Sequence, residues 1–330
     1  MSTSTSLASP AHLIAEIPGI LGFHPANSVV FMLLKREDSN TFSLGPVLRM
    51  DVGDTESLPE ITSCINSFHP DVVFAVVSAE LPNHNFIGEM VHVGIKNLDV
   101  VWHVRGISED EPYTALWTAR SAHDYDVDML AGLVAPIHAA VSTRESLAHG
   151  DLIALSRDEA FEALALVPAR EQDGDALVEQ ARALLEHVGP FSDLILPLRE
   201  DLAAGHRTEA QARVVAAMIA GAGVRDLALG ELLLHPDLAK DLLADLAQQL
   251  ADTELRAGAL AMLACVLMAG GHQARASIVI KAAATSSRDH RLTQLLVEAS
   301  VVGALDVLVP ALNEGILLGR LKANIPEPVR

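Results

Sequence analysis

Three short apolar runs organise the first hundred residues: Ser28–Lys35 (SVVFMLLK), Val72–Ser78 (VVFAVVS) and Val100–Val104 (VVWHV). Apolar residues at consecutive positions put hydrophobic side chains on both faces of a strand, as a sheet covered on both sides requires. Ahead of the first run, Ala11–Leu21 has helical spacing, and Gly22-Phe23-His24-Pro25-Ala26-Asn27 reads as a loop. Glu37–Asn40 marks a turn, and Phe42–Val52 returns as a second strand, giving a hairpin. Pro46 cannot donate a ladder hydrogen bond, which predicts an edge position or a bulge. Helices over Thr55–Phe68 and Phe86–Lys96 precede the second and third runs. The β-β-α-β-α-β order requires crossover connections, so the sheet is predicted to be mixed, with a parallel portion and helices packed on it. Ile107–Asp128 is polar and irregular, with one further strand expected at Tyr113–Thr118.

Beyond residue 150 the spacing is helical throughout, which divides the chain into an α/β domain at 1–150 and a helical domain at 151–330. Ser142-x-x-Glu145 and Ser156-x-x-Glu159 have capping-box spacing, and Thr208-x-x-Gln211 opens another helix. Helices follow at Leu227–Leu234, Asp237–Leu250, Glu254–Ala269, Gln273–Ala284 and His290–Val302, separated by proline, Asp-Thr, Gly-Gly and Ser-Ser breaks. Leu260, Leu263, Ala264 and Leu267 on one helix are followed by Ala276, Ile280 and Ala283 on the next. Small residues at 264, 276 and 283 allow close antiparallel packing, a spacing similar to a tetratricopeptide hairpin. One repeat earlier, Leu229, Gly230 and Leu233 fit, but Leu242 stands where a small residue belongs. The expectation is a helical bundle with one repeat-like hairpin.

Composition narrows the function classes. Of 330 residues half are apolar and only 4% aromatic, and 43 acidic residues against 23 basic ones give a formal net charge of −20. Phosphate-backbone binding draws its affinity from Lys and Arg. Lys35-Arg36, the one adjacent basic pair, is followed at once by Glu37 and Asp38, so direct nucleic-acid binding is disfavoured. Cys64 and Cys265 stand alone in apolar stretches and read as buried thiols of a reducing compartment. MSTSTSLASP has neither the basic nor the apolar region of a secretory signal, and a cytoplasmic setting is expected. The uncharged stretch Ala257–Gly271 is shorter than the ~20 residues that span a bilayer, so a buried helix is expected there and no membrane partner.

No catalytic spacing emerges. GxxxxGK[ST], GxGxxG after a strand, GxSxG and HExxH are absent, and Gly221-Ala222-Gly223 reads as a helix stop. The fourteen histidines show no zinc-ligand spacing. Asp124, Asp126 and Asp128 alternate, but a calcium loop needs Gly where Met129 stands and Glu where Ala135 stands, so this is read as a solvated acidic loop. Two loops are carried forward as ligand-binding candidates. His24, Asn27 and Ser28 lie where the chain enters the first strand, although turn chemistry alone accounts for Pro25, Asn27 and Ser28. His84, Asn85 and Arg105 follow Ser78 and Val104, at the carboxyl ends of parallel strands, where open α/β sheets bind ligands.

The segment Leu13–Leu34, LIAEIPGILGFHPANSVVFMLL, resembles the opening of an uncharacterised actinobacterial family, domain of unknown function 4192. Its members begin with a short helix, then Leu-Gly-Phe-x-Pro-x-x-Ser, then an apolar strand; here those positions are Leu21, Gly22, Phe23, Pro25 and Ser28. LAGLVAP with STRESLA, SRDEAFEALAL, VRDLALG and the hairpin from Ala257 through Leu296 are similar too. The resemblance implies a fold and a cytoplasmic setting but no activity. Many relatives carry Cys-Cys-Pro after the third apolar strand; this chain has GISEDEPY (Gly106–Tyr113) instead, so no metal or redox role carries over. The reading that follows is a non-enzymatic module without cofactor or metal, binding a protein partner or a second copy of itself through the helical half. The alternative is a small-molecule or nucleotide site, enzymatic or not, at the carboxyl ends of the sheet strands.

Overall fold

The computed structural model describes residues 9–38, 41–167, 171–187, 191–205, 208–220, 224–301 and 305–326. The chain divides into two units, Met1–Ala160 and Phe161–Arg330. Ser39 and Asn40 of the expected turn, the Gly221-Ala222-Gly223 stop and Val302 lie outside the described residues.

In the first unit α1 (Pro10–Leu21) ends at Gly22, whose φ of 79° needs the left-handed freedom of glycine. Next come β1 (Ser28–Arg36), β2 (Phe42–Asp51), α2 (Leu58–Ser67), β3 (Val72–Ser78), α3 (His84–His92), β4 (Leu98–Val104) and β5 (Pro112–Thr118). A one-turn α4 (Val127–Leu130), β6 (Ala131–Leu133), α5 (Val141–Ala148) and the short α6 (Arg157–Glu162) follow. The six strands form one mixed sheet in the order β2-β1-β3-β4-β5-β6. β3 and β4, joined by α3, are parallel; the other pairs are antiparallel. Pro46 meets both conditions set for it. β2 is an edge strand, and its pairing with β1 jumps from Met32–Val47 to Leu34–Leu44, leaving Gly45 and Pro46 as a bulge.

Strand alternation explains the double cover. Val29, Phe31, Leu33, Val73, Ala75 and Val77 form one core with Leu58 and Ile65 of α2 and Phe86, Ile87 and Met90 of α3. The intervening Val30, Met32, Leu34, Phe74, Val76 and Trp102 are buried as well. Asn83 starts α3 by accepting the Phe86 amide at 3.1 Å. Ser156 accepts the Glu159 amide at 3.1 Å, the first half of its expected box, while the Glu159 carboxylate takes the Leu155 amide. The Ser142 box does not form. α5 begins two residues earlier than that box requires, with Ala140 at the cap position, and Glu16 of α1 takes its first amides.

The second unit is helical: α7 (Glu171–His187), α8 (Ser192–Ala203), α9 (Glu209–Ala220), α10 (Arg225–Leu232), α11 (Pro236–Gln249), α12 (Thr253–Ala269), α13 (Gln273–Ser286), α14 (Arg291–Val301) and α15 (Leu305–Ala323). α12 is apolar all round and buried from Ala257 to Met268, the condition for a central helix. It touches α9, α10, α11, α13, α14 and α15. Thr208 and Gln211 complete a reciprocal box at 2.9 and 3.2 Å. α12 and α13 form an antiparallel hairpin closed at its far end by Ser287 Oγ donating to Glu254 Oε1 at 2.8 Å, with Ala264, Ala276 and Ala283 fully buried. Gly230 of α10 lies under Ile316 and Arg320 of α15, so its small size serves that pair.

Candidate functional site

Antiparallel pairing of β1 with β3 sets Ser28 beside Ser78, so the loop entering β1 lies at the carboxyl ends of β3 and β4. The structure thereby brings His24 and Ser28 to the edge reached by the loop after β4. His24 Nδ1 lies 3.1 Å from the Ile107 carbonyl oxygen, and its amide donates to the Ala154 carbonyl at 2.9 Å. Ser78 Oγ donates to the Pro25 carbonyl at 2.8 Å. Ser28 Oγ donates to the Ala26 carbonyl at 2.7 Å and accepts from Arg49 Nε at 2.9 Å. Asn27 is exposed, with a φ of 47°, and its carbonyl accepts the Val52 amide. His84 and Asn85 are exposed in the first turn of α3, and Arg105 donates to Glu111 at 2.7 Å. Here the buried polar groups fasten a loop to the sheet.

Arg49 is the part-buried charged group of this edge that sequence reasoning missed. Burial lowers its pKa from the ordinary value, opposed by the adjacent Asp51 carboxylate. Its one available signal was a basic residue between Leu48 and Met50 on an alternating strand.

A recess of this unit lies at the opposite edge, by the amino ends of β3 and β4, with a volume of about 1030 Å3. Leu34, Phe42 and Phe74 supply apolar lining, and Arg36, Asp71, Asp99 and Arg120 supply charge. Those charges are engaged with the protein: the Arg36 amide donates to Asp71 at 2.9 Å, and its guanidinium covers the Phe42 ring at 4.7 Å. Arg120 covers the Tyr125 ring at 4.4 Å, and Tyr125 donates to Asp99 at 2.8 Å. Among the described residues no three His, Cys, Asp or Glu side chains are grouped to hold a metal ion, Asp124, Asp126 and Asp128 included.

The helical unit presents a different kind of surface. One side of α15 packs Leu305, Leu308, Leu312, Ile316 and Ala323 onto the core. The other side leaves Val307 63%, Leu317 44%, Leu318 57% and Leu321 70% exposed. Glu314 and Lys322 lie on that same outer side, both exposed, and neither has an ion pair or hydrogen bond among the described residues. Eight residues of helix separate them by roughly 12 Å, beyond the reach of an ion pair within one helix.

Residues 10–304 match the family described as domain of unknown function 4192. The chain belongs to that family. No curated protein and no solved structure matches it. Domain of unknown function 4192 thus includes the mixed sheet and the helices through α14, and the match ends just before α15 begins. No helix among the described residues is long and apolar enough to cross a membrane.

Proposed function

We propose that this chain is a cytoplasmic, non-enzymatic interaction module that associates with a second copy of itself through the outer side of α15. The observation that carries this reading is the row of exposed leucines flanked by an acid and a base with no partner among the described residues. Two α15 helices laid antiparallel about a two-fold axis at Leu318 set Glu314 opposite the partner's Lys322, and Leu321 opposite the partner's Gly315. Each of these charges then gains an opposite one, Leu317 and Leu321 each meet a glycine, and Leu318 packs on its counterpart in the second copy.

Magnitudes favour a concentration-dependent dimer. Fully burying a leucine contributes roughly 1.5–3 kcal/mol, so Leu317, Leu318 and Leu321, each about half exposed, contribute on the order of 1 kcal/mol apiece on each copy. Association costs at least about 4 kcal/mol in translational and rotational freedom. The surplus is small. Sedimentation velocity over a concentration series tests the reading: a rising weight-average mass supports it, and a strict monomer at every concentration refutes it.

The second reading puts a small molecule or nucleotide at the carboxyl ends of β3 and β4. His24, Ser28 and the exposed Asn27, His84, Asn85 and Arg105 favour it, because they border one sheet edge. A thermal-shift panel of nucleotides and metabolites checks it, and no stabilisation across the panel would remove it.

A further inference from the structure

α14 begins with a histidine where helices favour Ser, Thr, Asp or Asn. His290 precedes Arg291, the first helical residue, and its side chain does the work of those residues: Nδ1 accepts the Thr293 amide at 3.4 Å. Thr293 Oγ1 lies 2.9 Å from the same nitrogen. An amide can only donate, so Nδ1 carries the lone pair and the ring proton is on Nε2. The cap is therefore a neutral imidazole. Once the ring is protonated both nitrogens are donors. The Thr293 hydroxyl can then turn and accept, but the Thr293 amide loses its acceptor.

The surroundings disfavour that proton. The far edge of the ring faces apolar chain: a Cβ at Gly258 of α12 would lie 3.5 Å from Nε2 and collide with Ile219 of α9. Charged groups border the ring from several elements. Arg225 opens α10 and is held by Asp226 at 2.9 Å, and Glu254 in the first turn of α12 accepts from Ser287. Arg182 of α7 lies 3.9 Å from Asp252, which caps α12, and Asp289 and Arg291 flank His290 in sequence. Burial first, and then Arg225, hold the imidazole below the ordinary histidine value, with Glu254 opposing. A positive ring would also stand at the positive end of the α14 dipole.

We propose that His290 is an acid-sensitive clasp in the helical unit: neutral, it caps α14 and pins the first turn to the core; protonated, it releases that turn. Leu292, Thr293 and Leu296 are buried there, and α14 packs on α12, α13 and α15, so release loosens the core from that end. The folded chain takes up this proton less readily than the unfolded chain. The contribution of the cap is whole above the ordinary value of 6.5 and is lost as pH falls below it. The clasp acts within one copy and does not rest on association through α15.

Amide hydrogen exchange of the full chain, corrected for the intrinsic effect of pH, tests this at about pH 7.5 and about pH 5.5. Protection over Thr293–Leu296 is expected to fall about fivefold at the lower pH, the factor that loss of one cap gives. His290→Asn keeps an acceptor that does not titrate, so its protection there should change less than about twofold. Unchanged protection in the parent chain, or an equal fall in His290→Asn, overturns the proposal. A second measurement needs no variant: nitrogen chemical shifts of the His290 ring at about pH 7.5 are expected to show the proton on Nε2. A proton on Nδ1, or a ring already charged at that pH, overturns it as well.

Discussion

Ser142 of α5 is tied to Glu16 of α1 twice: its amide donates to Glu16 Oε2 and its hydroxyl donates to the Glu16 carbonyl, each at 2.8 Å. The Val141 amide donates to Glu16 Oε1, also at 2.8 Å. One carboxylate thus satisfies two amides that the start of a helix leaves open. Glu16→Ala is expected to destabilise the α/β unit by about 1–3 kcal/mol, since those amides lose their acceptors in a part-buried place. Glu16→Gln, with one side-chain oxygen, should fall between. Urea denaturation followed by circular dichroism measures both.

Gly19, one turn further along α1, makes that contact possible. A Cβ at Gly19 would collide with Ser142 Oγ and the Thr143 amide nitrogen. Gly19→Ala would force α1 and α5 apart, and the expected loss is at least as large as that of Glu16→Ala despite alanine's better helix propensity. A stabilised Gly19→Ala protein would show that the helices do not approach this closely.

Glu231 is 1% exposed and receives two hydrogen bonds from Arg199, at 2.8 and 2.9 Å, and one from Arg320 at 2.9 Å. The three residues lock α10, α8 and α15 together. Removing one member of a buried ion-pair group leaves uncompensated charge and costs about 3–5 kcal/mol. Glu231→Gln should therefore unfold the helical unit at markedly lower urea than the parent chain.

Association through α15 makes a reciprocal prediction. Glu314→Lys and Lys322→Glu should each weaken the dimer roughly tenfold or more by facing like charges, while the double reversal restores it. Sedimentation equilibrium of the four proteins decides the matter; a dimer indifferent to all of them uses another surface.

Burial pushes the Cys265 thiol up to about 12 from an ordinary 9.0. The folded chain therefore holds this proton more tightly than the unfolded chain. Stability from the neutral thiol is fully present below pH 9.0 and is lost as pH rises toward 12, at about 1.4 kcal/mol per unit. The difference between the parent and Cys265→Ala stability curves should carry that slope. At pH 8 a thiol reagent should reach Cys64, which is half-buried, well before Cys265.

What could be read in the linear chain was whatever local spacing decides. β1, β3 and β4 came from unbroken apolar runs, and the Pro46 edge and bulge came from one missing amide. β6 was invisible, being three residues long and dependent on β5 for its existence. The box at Ser142 had the right spacing yet failed because a residue 126 positions away took the amides, a tertiary cap that local pattern cannot reveal. α15 escaped because Pro310, Gly315 and Gly319 interrupt a stretch apolar on both sides. His24 and Ser28 could be placed at a sheet edge in advance, but their partners Ile107 and Arg49 follow from strand register alone. Arg225 and His290 lie far apart in sequence, and only the packing of α10 and α14 about α12 brings them together.

The bulge at Gly45 and Pro46 reaches beyond its own hairpin. A foreign strand seeking the outer rim of β2 meets a kinked template with a donor missing, and β6 at the far rim offers three residues. Neither border can template cross-chain ladders, so fibrous growth by edge-to-edge stitching is discouraged at both.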